Sequence, residues 1–212
     1  MPIQDTFTIP SQEIASYNFV DLVRRTGYIT LYGAEAQDAS GTGYTLFEQV
    51  IANTSESDAY TQTSTSTDID FDKTFAVPIV LNGDLILEYC STAKIDGAGQ
   101  TGTATTTVDI YHVDTGATET SISTQVVHVV NNTQGSGAEI AGMATIIMPI
   151  TNQLFKVGET LRISINLARA GGTGGNNYAR LWHEPQDVST KPTGGYCTSL
   201  SFKVGMPVKI RI

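Results

Sequence analysis

Charge is what this chain has least of. Asp, Glu, Lys and Arg make up only 16% of its 212 residues, and 12 basic against 21 acidic residues leave a formal charge of −9. Phosphate neutralisation needs clustered Lys and Arg, so nucleic acid is excluded as the main ligand. There is one tryptophan, and there are two cysteines, Cys90 and Cys197, so metal knuckles of the CxxC type are ruled out. Both cysteines fall in strand-like segments where small buried thiols are common, which favours free thiols, although one bridge between them also fits. Long apolar runs are missing too. Ile146-Ile147-Met148-Pro149-Ile150 is far too short to cross a bilayer, and no basic-then-apolar leader opens the sequence, so neither a membrane partner nor a cleaved leader is expected.

The helix formers Leu, Glu, Lys and Arg are sparse, while Thr, Val, Ile, Gly and Ser are plentiful, a bias towards pleated, half-buried strands joined by tight turns. Residues 1–26 read as an N-terminal arm whose Ile3, Phe7, Ile9, Tyr17 and Phe19 are candidate assembly contacts, with a short helix arguable between Ser11 and Arg25. Residues 27–212 read as a single domain. Tyr28 to Tyr32, Tyr44 to Ile51, Val77 to Leu81, Asp84 to Ile95, Thr103 to Val113, Thr120 to Val130, Ile140 to Ile150, Glu159 to Ala168 and Leu200 to Ile212 all read as strands. Asn82-Gly83 is a two-residue hairpin signal, and Asp114-Thr115-Gly116 joins the clearest hairpin. Phe155-Lys156-Val157-Gly158 and Phe202-Lys203-Val204-Gly205 echo one another, as two similar sheet corners would. Many short strands without amphipathic helices between them predict an all-β fold, an antiparallel two-sheet β-sandwich of jelly-roll-like form.

Candidate sites are few. Gly97-Ala98-Gly99-Gln100-Thr101-Gly102 matches a dinucleotide pattern by letter, but a Thr-rich strand follows where a helix N-terminus is needed, so these glycines read as a hairpin loop. Asp68, Asp70 and Asp72 alternate along a strand and share one face, which suits either a hard cation or plain solvation; the missing glycine and closing glutamate favour solvation. His112 and His128 face one another only if their strands pair in that register, and two imidazoles make an incomplete zinc site. No G-x-S-x-G elbow and no activated cysteine is present, so neither an enzyme nor a cofactor or metal site is expected. The most site-like stretch is the Gly171–Gly175 loop followed by Tyr178, Arg180 and Trp182, suited to a ligand or partner contact, although Tyr178 and Trp182 alternating inward as strand core is the slightly favoured reading.

The opening arm, Tyr28-Ile29-Thr30-Leu31-Tyr32-Gly33, the Thr-rich middle and Phe155-Lys156-Val157-Gly158-Glu159-Thr160-Leu161-Arg162-Ile163 resemble small β-sandwich virion structural proteins of tailed-phage-like viruses, of the decoration or minor capsid type. That resemblance implies a non-enzymatic virion component that meets copies of itself, as a homo-oligomer (a trimer is the guess), and meets the major capsid protein or other virion proteins. The alternative is an extracellular carbohydrate-binding β-sandwich module, with Tyr178, Arg180 and Trp182 as its binding face.

Overall fold

The computed structural model describes residues 26–38, 41–48, 59–62, 66–97, 99–134, 137–172, 177–183 and 202–209. The N-terminal arm, with Ile3, Phe7, Ile9, Tyr17, Phe19 and the arguable helix, lies outside the described residues, as do Cys197 and most of the Gly171–Gly175 loop. Among the described residues there is no helix. The strands are β1 (Thr26–Asp38), β2 (Gly41–Phe47), β3 (Ala59–Gln62), β4 (Ser66–Thr74), β5 (Ile79–Lys94), β6 (Gly102–Val113), β7 (Glu119–Ser121), β8 (Val126–Asn132), β9 (Glu139–Phe155), β10 (Thr160–Gly171), β11 (Tyr178–Trp182) and β12 (Phe202–Lys209).

The all-β expectation holds, but the strands do not pair as two separate antiparallel sheets. They form one continuous mixed sheet in the order β3-β11-β5-β12-β1-β2-β4-β10-β6-β7, with β8 beside β6 and β9 beside β5. Every pairing is antiparallel except that of β2 with β4, which is parallel and only two register pairs long, Tyr44 to Phe71 and Thr45 to Asp72.

Alternation places the core. Along β10, Leu161, Ile163, Ile165 and Leu167 are fully buried while Arg162, Ser164 and Asn166 point the other way. Leu85, Leu87 and Tyr89 on β5, Ile69 and Phe71 on β4, and Phe202 and Val204 on β12 belong to the same buried cluster. A flat sheet would hold β5 and β6 about 29 Å apart, six strand spacings of about 4.8 Å. Yet the Tyr89 hydroxyl lies 2.5 Å from Thr106 Oγ1 on β6, and the Phe71 and Phe202 rings stack at 4.1 Å. The sheet therefore bends back on itself and closes over one apolar interior. Gly33 lies against the stacked rings: a Cβ there would lie 2.6 Å from Phe202 and 2.8 Å from Phe71.

Several local expectations need correction. Asn82-Gly83 makes no hairpin; β5 runs straight through it, because β9 lies alongside and absorbs the irregularity as a bulge. There Asn152 adopts φ 44° and its N–H donates to Asn82 Oδ1 at 3.1 Å. Gly97 to Gly102 is a turn, with Gln100 N–H donating to Gly97 O at 3.1 Å, but it connects β5 to β6, which are not neighbours in the sheet, so it is a crossover and not a hairpin. The Phe155 and Phe202 echo is not structural: Val157 and Gly158 form a turn, whereas Lys203 to Gly205 lie inside β12. Cys90 is disulfide-bonded, not a free thiol, and the chain's only other cysteine is Cys197.

Candidate functional site

The outward face of β4, β10 and β6 is polar. Register sets three rows across it: Asp72, Arg162 and Tyr111; Asp70, Ser164 and Asp109; Asp68, Asn166 and Thr107. Their neighbours Ile69, Phe71, Ile163, Ile165, Val108 and Ile110 are buried, so alternation turns each polar residue out. With Glu119 and Gln125, all of these polar residues except Asp72 and Arg162 line a trough of about 420 Å³.

Arg162 organises one end of it. Its Nε and second terminal nitrogen donate to the two oxygens of Asp72 at 2.8 and 2.6 Å. The remaining nitrogen lies 2.5 Å from Glu119 and 3.5 Å from Asp70. These bonds hold the guanidinium protonated well above the ordinary arginine range, Asp72 contributing most. Asn166 Nδ2 donates to Asp68 at 2.7 Å and Gln125 Nε2 to Asp109 at 2.5 Å. Desolvation, followed by the charges of Asp109, Glu119, Asp70 and Asp68, pushes the Tyr111 phenol up. Asp68, Asp70 and Asp72 thus share a face as alternation requires, with Asp68 drawn to Asn166 and both Asp70 and Asp72 to Arg162. Among the described residues no group of three or more His, Cys, Asp or Glu is placed to hold a metal ion.

Tyr178, Arg180 and Trp182 also share a face, at alternate positions of β11. The Arg180 guanidinium lies 4.1 Å from the Tyr178 ring centre and 5.8 Å from that of Trp182. Glu139 on β9 gathers Thr92 Oγ1 at 2.6 Å, Tyr178 Oη at 3.1 Å and Arg180 at 3.4 Å. Burial and the Glu139 charge raise the Tyr178 phenol to about 12. Trp182 is buried with Cys90 and Ala141, its Nε1 donating to Thr92 at 3.3 Å. A sugar needs an open ring face; here one aromatic is buried and the other lies under Arg180, with Lys94 also 5.3 Å from its centre.

The histidines do not meet. His112 stands opposite Thr120 and His128 opposite Thr106, six positions apart along β6. His112 Nε2 pairs with Glu159 at 2.8 Å, and its Nδ1 accepts from Gln153 at 3.2 Å. Glu159 is buried, and its carboxyl is held below the usual range first by the Lys156 N–H it accepts at 2.7 Å. His128 is depressed by burial, and His183 lies buried against the edges of Tyr44 and Phe71. Sequence reasoning found the aspartates of β4 but missed Arg162, Asp109, Tyr111 and Glu119. Arg162 and Asp72 are 90 residues apart, and the available signal was only that each strand shows a polar alternate face.

No family model matches the chain, and no curated protein does. Solved structures do. A CocE/NonD family hydrolase from Staphylococcus aureus aligns at 13% identity and a TM-score of 0.52, covering 87% of this chain and 36% of that one. An aminopeptidase from the marine sediment archaeon Thaumarchaeota archaeon aligns at 9% identity and a TM-score of 0.50, covering 88% of this chain and 37% of that one. What is shared is the fold. This chain spans about a third of the length of either neighbour. The expectation of a non-enzymatic virion component, decoration or minor capsid, is overturned by this finding: the neighbours are hydrolases, and neither is a virion protein. The carbohydrate-binding alternative falls with it, for the geometric reason given above.

Proposed function

We propose that this chain is the β-domain of a hydrolytic enzyme, a jelly-roll-like sandwich whose trough holds a positively charged part of the substrate. The observation that carries the reading is the likeness along 87% of the chain to a part, 36%, of a CocE/NonD family hydrolase. The trough is the surface that suits the role, because it is concave and lined by Asp68, Asp70, Asp109 and Glu119, with Arg162 beside it reaching Asp70 and Glu119. A unit charge 4 Å from one of these carboxylates gains about 4 kcal/mol at the effective dielectric of a protein surface. A primary ammonium, such as the free amine on which an aminopeptidase would act, fits that field. The Cys90 disulfide points to an oxidising compartment, in keeping with an extracellular site of action.

The test compares amino-acid p-nitroanilides with their N-acetylated counterparts, following amide shifts of the trough strands and release of nitroaniline in the same samples. Free amines are expected to shift the resonances around Tyr111 and Asp109, with affinity falling about tenfold in Asp70→Asn/Asp109→Asn. Equal response to amine and acetamide, or shifts elsewhere on the surface alone, would overturn the reading.

A further inference from the structure

The outer face that carries the trough continues beyond it along the same strands. Past Asp109 the register adds three rows: Val127, Thr107, Asn166 and Asp68; Val129, Thr105, Ala168 and Ser66; Asn131, Thr103 and Ala170. The last two rows hold no charged side chain. Val127 and Val129, 56% and 45% exposed, stand on β8 beside Thr107 and Thr105. At the far end lies a second hollow of about 490 Å³, lined by Thr103, Asn131, Thr133, Gly102, Ala170 and Gly171 among others. The two concavities thus lie on one face, with exposed valines between them.

Charge decides which way a ligand runs from the trough. Arg162 stands at the Asp72 end, its guanidinium 3.5 Å from Asp70 and 2.5 Å from Glu119, so a bound cation is repelled from that side. Asp68 and Asp109 are held instead by the neutral amides of Asn166 and Gln125, which leave their charges uncompensated. An ammonium therefore settles by Asp68 and Asp109, and the rest of its molecule leaves over the uncharged rows. From Asp109 to Thr103 is six positions of β6, about 20 Å at about 3.4 Å per residue.

We infer that this face binds an extended peptide of about six residues, its free amino terminus in the trough, its apolar side chains on Val127 and Val129, and its distal backbone in the hollow at Asn131. This rests on the reading of the trough as a cation site and widens it from a charged group to a class of substrate. The order of surfaces along the face is the order of groups along such a peptide. A positive amino end meets carboxylates, apolar side chains meet valines, and peptide groups meet an amide and hydroxyls that donate and accept without charge. Val127 and Val129 are two positions apart on one side of a strand, the spacing of same-side residues in an extended ligand. A lone amino-acid derivative reaches the trough alone.

Titrations followed by amide resonances, with three ligands, test the inference. They are alaninamide, a hexapeptide amide with alanine first, leucine second and fourth and serine elsewhere, and that hexapeptide N-acetylated. Alaninamide is expected to shift Asp109 and Tyr111 alone. The free hexapeptide should also shift Thr105, Thr103 and Asn131, and should bind at least about tenfold tighter. Val127→Ser/Val129→Ser should abolish the difference between the two; both positions are exposed, so circular dichroism should match wild type. A hexapeptide that binds no tighter than alaninamide, or leaves Thr103 and Asn131 unmoved, overturns the inference while the reading of the trough stands. An acetylated hexapeptide that binds as well as the free one also overturns it, because the amine would then not be the anchor. If neither free ligand moves the trough resonances, the reading of the trough falls and the inference with it.

Discussion

Replacing Arg162 with Met keeps most of the side chain's length and removes its charge. The guanidinium is 24% exposed, and it faces Asp72, Asp70 and Glu119 at 33%, 38% and 43% exposure. An exposed ion pair contributes up to about 1 kcal/mol, while breaking a fully buried one costs about 3–5 kcal/mol. A half-buried, bidentate Arg–Asp pair with two further carboxylates in reach falls between, so we expect a loss of about 2 kcal/mol. For a domain of this size that lowers the melting temperature by about 4–8 °C. Thermal unfolding followed by circular dichroism reads it directly. Because the loss is mostly repulsion among carboxylates left together, it should shrink markedly in about 1 M salt, where the screening length falls to about 3 Å. Arg162→Lys should recover less than half, since an ammonium cannot match both oxygens of Asp72. A change below about 1 °C would refute the claim that Arg162 organises the trough. A full-sized loss indifferent to salt would assign the effect to packing of the arginine stem instead.

Burial raises the Tyr89 phenol to about 12, against about 10 in the unfolded chain. Its contribution is therefore whole below the unfolded value and is lost as pH rises from about 10 to 12, a loss of about 2–3 kcal/mol. Urea unfolding across that window should show it, and Tyr89→Phe should flatten it. Gly33→Ala should destabilise by about 1–3 kcal/mol, because the added methyl meets the rings of Phe71 and Phe202. Chemical denaturation checks this, and a neutral result would show that those rings can give way. Reducing the Cys90 disulfide should cost about 2–4 kcal/mol, read as a lower unfolding midpoint in dithiothreitol together with a gain of two hydrogens by mass.

Much of the fold was legible because strand alternation is a local property. The polar and apolar faces of β6 and β10, the shared face of Asp68, Asp70 and Asp72, and that of Tyr178, Arg180 and Trp182 all follow from a period of two. Neighbours are another matter. Nothing near Asn82-Gly83 announces that a 17-residue strand far along the chain lies alongside, Ile150 opposite Gly83, and turns a hairpin signal into a bulge. Nor does local pattern say that β10 lies between β4 and β6, which is what brings Arg162 to Asp72 on one side and Glu119 on the other. The trough is a product of strand order, and order is decided by the whole core. The reading of Tyr178 and Trp182 as inward core positions holds for Trp182, which Cys90 and Ala141 from two other strands help to bury.

The two parallel register pairs between β2 and β4 are the only strand pairing between the β5 side of the described sheet and the β10 side. All other continuity between the sides runs through side chains, among them the hydrogen bonds of Tyr89 Oη with Thr106 and of Asn132 Nδ2 with Ala93 O. The lattice of backbone bonds therefore has a natural tear line, and a fluctuation can peel the β1–β2 hairpin from β4 while the long β5–β9 pairing stays zipped. Amide protons of Tyr44 and Thr45 would exchange with solvent through that partial opening, long before those of Leu87 and Tyr89. Tyr44 is also the residue whose ring leans on both Phe71 and His183. Such a tear would expose the inner aromatic stack first.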